Sequence, residues 1–386
     1  MNVPMPRHAE IAGAGFSGLV AAVALLQRGW TVRVHERTPF VRSEGFAVVI
    51  HRNGLSVLHA LGVLDRILER SSKIHRRIAQ DSDGRVMMDA PASSRRISRQ
   101  HIVAVLAEKV RALGGELLTD SEVTGADAGG ELTLQNGRRL RADLIIGADG
   151  YGSVVRDSIG LLSRRVLLKH GTMRLMIPRT AAERDAEPPG CGTGFEYWSG
   201  MRRVTYSPCS PDEVYLALTC PRDDEIGRAV PINVDTWRQS FPRLDNVFDR
   251  VAQIPEWDRI KWVEFQTITL HRWSQGKVAV LGDAAHAMAP NLGQGGGCAM
   301  MNAYSLAVAI EKGEDLLQSL AQWEAAERPL TEHTQRWVRL YGVIASWPTW
   351  LRSITFDVAT RSGLMRHLHR AANYVPTGAV PVDPSI

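Results

Sequence analysis

The residues best suited to chemistry in this 386-residue chain are glycines and acids in three segments far apart in sequence. The first, Gly13-Ala14-Gly15-Phe16-Ser17-Gly18, has G-x-G-x-x-G spacing. Gly13 permits a tight turn, Gly15 lets backbone approach a pyrophosphate, and Gly18 lets a helix pack closely on a strand. The N-terminus of that helix offers unpaired N–H groups and a partial positive charge to phosphates. Glu36 comes about twenty residues on, where a carboxylate accepts from ribose hydroxyls. It would repel a 2′-phosphate, so the site suits FAD or NAD over NADP. The second segment is Gly147-Ala148-Asp149-Gly150, in which Asp149 either meets the cofactor or caps the next segment. The third is Gly282-Asp283-Ala284-Ala285-His286, continued by Pro290 and by Gly293-Gln294-Gly295-Gly296-Gly297. Asp283 comes after an apolar run, where its carboxylate can accept from a ribityl chain. Gly293, Gly295 and Gly296 precede a helix and can aim N–H groups at a flavin edge that turns negative on reduction. Pro290 rigidifies the approach. His286 reads as a structural hydrogen-bonding residue before an acid or base. Together, in this order, the three segments point to FAD.

These residues need elements to hold them. Residues 9–13 read as a buried strand and the run after Gly15 as a helix ending at Gly29. Residues 31–36 read as a second strand, which completes a parallel crossover. Helices are expected over 53–64 and 100–113, a hairpin around Gln135-Asn136-Gly137, and buried strands over 144–147 and 277–281. Between residues 166 and 266, short β-like runs alternate with Pro- and Gly-rich connections, the texture of an antiparallel sheet in a separate layer. The predicted fold is α/β: a Rossmann-type FAD-binding domain, a second, mainly antiparallel β substrate domain, and C-terminal helices. The FAD-binding domain takes 1–70, 99–160 and 267–330, the substrate domain 71–98 and 161–266, and a helical segment with a tail 331–386. The tail after Asn373, with Pro376, Pro381 and Pro384, is expected to be poorly ordered.

Composition excludes several classes. The chain is 44% hydrophobic and 23% charged, ordinary for a soluble protein. No apolar run reaches the ~18 residues of a membrane helix, and residues 1–10 lack a signal-peptide core; a cytoplasmic location is expected. Cys191, Cys209, Cys220 and Cys298 form no CxxC pair and no metal-ligand spacing, so reduced thiols and no metal are expected. Arginine pairs such as 76–77, 95–96, 164–165 and 202–203 are scattered, which argues against a nucleic-acid partner. A net charge of +5 still favours anionic small substrates. Only one dinucleotide fingerprint occurs, so no second Rossmann domain serves a nicotinamide nucleotide.

On these residues the chain resembles the single-component (group A) flavin-dependent aromatic hydroxylases, the family of p-hydroxybenzoate and salicylate hydroxylases, over roughly residues 7–340. Asp149-Gly150 with Ser153 and Arg156 fits the family's D-G-x-x-S-x-x-R. Gly282-Asp283 with His286 and Pro290 fits its G-D-x-x-H-x-x-x-P. The resemblance implies that Arg99 touches FAD, that Arg42 and Gly45 lie near the flavin, and that Arg37 and Val123 neighbour the adenine. It implies non-covalent FAD, transient NADH or NADPH, O2 as co-substrate, a flavin C4a-hydroperoxide, and a small aromatic or N-heteroaromatic substrate such as a hydroxypyridine or phenolic carboxylate. A monomer or homodimer without membrane contact is expected.

The segment from Arg203 to Cys209 and on to Leu216 is similar to the substrate-sheet strands of the pyridine-type branch of that family. This likeness implies that Arg203 and Tyr215 face the substrate: an arginine suits a carboxylate or phenolate, and a tyrosine hydroxyl can orient a ring. A second tyrosine of that branch aligns with His75, which could deprotonate a ring hydroxyl near neutral pH if it lines the pocket. Ring hydroxylation or ring opening both fit. Two other functions remain open: another flavoenzyme of the same fold, a dehydrogenase or an epoxidase, or a non-catalytic FAD-binding module presenting Trp337, Trp347 and Trp350.

Overall fold

The computed structural model describes residues 6–41, 46–188 and 190–383. In chain order the strands begin with β1 (His8–Ala12), β2 (Thr31–His35), β3 (Ala47–Ile50), β4 (Ser71–Asp81), β5 (Val86–Ser98) and β6 (Glu116–Leu118). They continue with β7 (Val123–Asp127), β8 (Glu131–Leu134), β9 (Arg139–Arg141), β10 (Leu144–Gly147), β11 (Leu162–Pro178) and β12 (Cys191–Ser199). The last are β13 (Arg202–Pro208), β14 (Glu213–Pro221), β15 (Val263–Leu270), β16 (Ser274–Gln275) and β17 (Val278–Val280).

Buried runs too short for helices, such as those of β1, β10 and β17, become central strands because both their faces are covered. The first sheet has the order β16-β17-β10-β1-β2-β6, and every neighbouring pair but β16–β17 is parallel. From β1 the chain first builds outward through β2 and β6, then returns to the other side of β1 with β10 and β17. The strand order therefore reverses between β1 and β10, and ligands bind at such a switch point, outside the carboxyl ends of the strands. Gly13 leaves β1, Ala148 leaves β10 and Leu281-Gly282 leaves β17, so the three glycine segments issue from one edge of three adjacent strands. One buried acid lies inside this sheet. Glu10 accepts from His35 Nε2 at 2.8 Å and pairs with His8 and Arg33. Burial opposes its charge, but the bonds from His35, His8 and Arg33 outweigh it and hold the carboxyl below its ordinary range.

The second sheet has the order β15-β11-β14-β13-β12-β4-β5-β3 and is antiparallel except where β4 runs beside β12. Two boundaries differ from the sequence reading. Residues 47–50, expected in the FAD-binding part, pair as β3 with β5 in this sheet. β15, expected to end near 266, stays in it to Leu270. Its far face covers a core of Met173, Leu216 and Leu218 against Trp237 and Phe248. β7, β8 and β9 form a small third sheet.

Helix Gly295–Lys312 packs against helices Phe16–Leu26, Arg52–Ala60 and the long Leu316–Ala345, after which come helices Thr349–Arg361 and Leu364–Leu368. The tail departs from expectation. Tyr304 donates its hydroxyl to the Gly378 carbonyl, and Val382 is only 6% exposed, so the tail is pinned along helix Gly295–Lys312. Among the described residues no helix is long and apolar enough to cross a membrane.

Candidate active site

The loop from β1 to helix Phe16–Leu26 needs its glycines for separate reasons. Gly13 has φ +101°, and a Cβ there would lie 2.4 Å from the Ala148 carbonyl oxygen. A Cβ on Gly18 would lie 1.9 Å from the Gly13 oxygen. These two glycines let loop, helix and β10 close together. Gly15 and Gly150 differ: no heavy atom lies within 4 Å of their Cβ positions, so both border open space in the cleft. Glu36, at the end of β2, accepts from Ala14 N at 3.2 Å and Thr38 Oγ1 at 2.8 Å, which fixes its carboxylate beside the glycine loop.

Asp149 accepts from Val154 N and Val155 N through Oδ2 and so caps the next helical turn. Its Oδ1 is buried without a partner, and burial pushes its carboxyl up. That oxygen is free for a ligand hydroxyl. Arg156 is fully buried and donates to the carbonyls of Tyr151 and Ala284, tying the second glycine segment to the third. Gly282 has φ +61°, and a Cβ on it would meet Ser17 Oγ at 2.0 Å; the first and third segments touch there. His286 is buried on Trp273, lies 3.0 Å from Asn302 Nδ2, and is pushed down to about 4 by burial. It is a neutral structural residue.

These loops floor a cavity of ≈ 340 Å³ roofed by the second sheet. Gly15, Phe16, Ser17, Gly150, Asp283, Pro290, Gly293, Gly295 and Gly296 line the floor. Asp283 is open to the cleft yet ringed by protein, so desolvation pushes its carboxyl up, opposed by Arg99 and Arg174. Helix Gly295–Lys312 presents its first turn to the same space.

The roof is cationic. Arg77, Arg96, Arg99, Arg174 and Arg203 line the cavity against two carboxylates, Glu196 and Asp283. Arg203, 5% exposed, donates to Asn291 Oδ1 at 3.1 Å, lies 3.8 Å from Glu196, and sits 5.1 Å over the Trp198 ring. Arg77 donates to Glu196 at 2.6 Å, and Tyr341 donates its hydroxyl to the same carboxylate at 2.9 Å. Burial opposes the Glu196 charge, but Arg77 and Arg203 hold its carboxyl low. Arg96 lies 4.7 Å over the Tyr215 ring with its Nε unpartnered, and burial pushes its guanidinium down. His51 also borders the cavity; burial, with His369 adding to it, pushes it to about 3, so it stays neutral.

Of the sequence candidates, Arg99, Arg203 and Tyr215 meet the floor residues in this one cavity. Gly13, Gly18, Glu36 and Asp149 do not line it; Gly13 and Gly18 pack on Ala148, which does, and Glu36 bonds Ala14 of the glycine loop. Arg37 is exposed and Val123 half-buried on β7, and neither lines the cavity. Arg42 and Gly45 lie outside the described residues. His75 is the correction. It occupies a bulge in β4, where the register skips from Ile74 to Arg76 against both neighbouring strands. The extra residue shifts the side-chain alternation, so Ile74 and Arg77 both face the cavity while His75 turns out toward Glu187, 3.8 Å away.

Sequence reading passed over Arg77, Arg96, Arg174, Glu196 and Tyr341. A signal existed in the arginine pairs read as scattered. Successive residues of a strand point to opposite faces. Arg77, Arg96 and Arg203 line the cavity, while Arg76 pairs with Asp89 and Arg202 with Asp224 outside it. The pairs mark strands, and three of the four put one arginine into the site; Arg164 and Arg165 on β11 put none there.

A family model described as FAD binding domain matches residues 8–332. The chain is 38% identical to a putative 2-heptyl-3-hydroxy-4(1H)-quinolone synthase of Rhodococcus erythropolis, over 96% of this chain and 97% of the relative. It is 35% identical to the 2-heptyl-3-hydroxy-4(1H)-quinolone synthase of Mycobacteroides abscessus, over 92% and 95%. A solved structure, the tetrameric form of 2-methyl-3-hydroxypyridine-5-carboxylic acid oxygenase, superposes with TM-score 0.86 at 37% identity, covering 98% of this chain and 99% of that chain.

Proposed function

The chain belongs to the FAD binding domain family, and from that premise we propose that it oxygenates a small anionic N-heteroaromatic ring, using NAD(P)H as reductant and O2 as oxygen source. It is an FAD-dependent monooxygenase of the aromatic-hydroxylase type. The residues fit FAD. Gly15 and Gly150 leave backbone open to the cleft, Asp149 Oδ1 lacks a partner, and Asp283 and the first turn of helix Gly295–Lys312 converge where the isoalloxazine would lie. Bound there, FAD supplies the electron transfer and oxygen activation that no side chain here offers.

The remaining work falls to the chain. Arg96, Arg174 and Arg203 bind the ring's acidic oxygens and hold a ring hydroxyl as its oxyanion, since a cationic roof lowers its pKa. An oxyanion makes the ring electron-rich toward oxygen transfer. Tyr215, held by Arg96, orients the ring plane, and Asn291 fixes the guanidinium of Arg203. Phe46, Met288 and Leu292 form an apolar wall against water. With His75 outside the cavity and His51 pushed down to about 3, too weak a base for a ring hydroxyl, stabilisation of the anion replaces a histidine base. The relatives' names support an N-heterocyclic ring: two carry a quinolone with a heptyl chain, one a hydroxypyridine carboxylic acid. For assembly we propose a monomer or homodimer in the cytoplasm, with a tetramer like that of the pyridine-ring relative the competing result of light scattering.

The observation that carries this reading is a cavity lined by five arginines against two carboxylates, Glu196 and the floor's Asp283, where three strand-end loops meet the second sheet. The test is NAD(P)H oxidation by the yellow holoenzyme with hydroxypyridine carboxylates and 4(1H)-quinolones under 18O2. Ring-dependent turnover with one labelled oxygen in the product is expected. If none of these rings stimulates turnover, the reading fails.

A further inference from the structure

We propose that a second, apolar chamber beside the main cavity is a subsite for an alkyl chain carried by the ring substrate. The inference rests on the ring-oxygenation reading and adds the substituent to it. The chamber measures ≈ 330 Å³ and lies between the second sheet and the C-terminal helices, with Met88 on the sheet side and Trp337, Ile344, Phe356 and Ala359 on the helix side. Protein interiors leave few voids larger than a water molecule. A dry apolar cavity of about 150 Å³ already accepts benzene, and this one is about twice that size.

The two spaces adjoin. Arg77 and Leu292 line both. Tyr341 lines the chamber and donates its hydroxyl to Glu196, which lines the main cavity. Arg77, paired with Glu196, and Leu292 therefore stand between the two spaces, with Tyr341 beside them. The Arg77 guanidinium is turned to Glu196, which leaves its aliphatic stem and Leu292 between the two spaces.

Three polar groups on the chamber wall have their partners elsewhere. Trp337 Nε1 donates to His333, Thr355 Oγ1 to the Leu351 carbonyl, and Tyr341 to Glu196. An occupant finds no hydrogen-bond partner among these groups, so a polar or charged substituent would be desolvated without compensation. An unbranched hydrocarbon meets neither penalty. It can thread past Arg77 while its ring head stays under Arg203. The two spaces thus divide one substrate, an anionic ring in the cationic cavity and its chain in the apolar one.

The experiment uses the FAD-loaded protein and two readouts. The first is KM, together with Kd from flavin absorbance, for 4(1H)-quinolones carrying 2-alkyl chains from methyl to nonyl. Binding should tighten about fourfold per added methylene over the first few carbons, then level off when the chamber is full. Ala359→Trp, or Ile344→Trp if the first variant does not fold, should cost the heptyl compound about tenfold or more and leave the methyl compound unchanged. The second readout is tryptophan fluorescence on titration with 1-octanol, since Trp337 and Trp347 line the chamber. Saturable quenching abolished by Ala359→Trp is expected. An octanol response without ring turnover supports the chamber and overturns the ring reading. Turnover independent of chain length, with no saturable octanol response, overturns the chamber and leaves the ring reading standing.

Discussion

Arg203→Ala tests the cationic roof most directly. Arg203 is 5% exposed and aimed by Asn291 at 3.1 Å, so an anion meeting it is largely desolvated. A hydrogen bond to a charged group contributes about 1.5–3 kcal/mol, and a guanidinium fork can make two to one carboxylate. Arg96 and Arg174 recover part of the loss, which leaves about 3 kcal/mol, or roughly 150-fold, in KM for an anionic ring. The fold should tolerate the change. Glu196 keeps Arg77 at 2.6 Å and Tyr341 at 2.9 Å, so no carboxylate is orphaned, and about 1 kcal/mol of stability is lost. Arg203→Lys should recover only part of the KM, because an ammonium cannot hold Asn291 and grip a carboxylate with a planar fork. The assay compares an anionic substrate with its neutral amide or methyl-ether analogue, alongside the flavin-to-protein ratio. A large KM effect confined to the anion, with FAD content unchanged, is expected. Equal effects on anion and neutral analogue, or loss of FAD, would refute the argument that this arginine acts as an anion clamp.

Gly18→Ala places a Cβ 1.9 Å from the Gly13 carbonyl oxygen, so helix and loop must part; the purified variant should be colourless or bind FAD at least about a hundredfold more weakly, as equilibrium dialysis reads. Glu10 has a folded-state pKa below the unfolded value, so its contribution is complete above the ordinary glutamate range and is lost as pH falls through the folded value. Thermal melts from pH 7 to 3 should therefore fall less steeply for Glu10→Gln than for the parent; identical slopes would remove this carboxylate from the acid limb. His75→Ala should leave kcat, KM and the pH–rate profile within about twofold of the parent, because the β4 bulge turns that side chain away from the cavity; a shifted profile would return His75 to the mechanism.

The chain by itself determined that a dinucleotide is held and where its loops begin. Local rules suffice for that: a left-handed φ at Gly13 and Gly282, or a helix pressed against a turn at Gly18, constrains residue type wherever it occurs. The strand-helix-strand opening, the antiparallel texture of the middle and the helical C-terminus come from periodicity in the same way. The tail did not, because three prolines read as disorder until Tyr304 and the surface under Val382 are placed beside it. The substrate side also needed tertiary structure. Whether Arg76 or Arg77 enters the cavity turns on one bulged residue, and a bulge leaves no mark in composition or spacing. Glu196, Arg203, Asn291 and Tyr341 come from four separate elements, and their contacts exist only once the second sheet, the loop after β17 and the long C-terminal helix are brought together. Short-range backbone constraints are written residue by residue and can be read in order. A charge balance, or a chamber between two layers, is a sum over distant residues and takes its value only when the chain has folded.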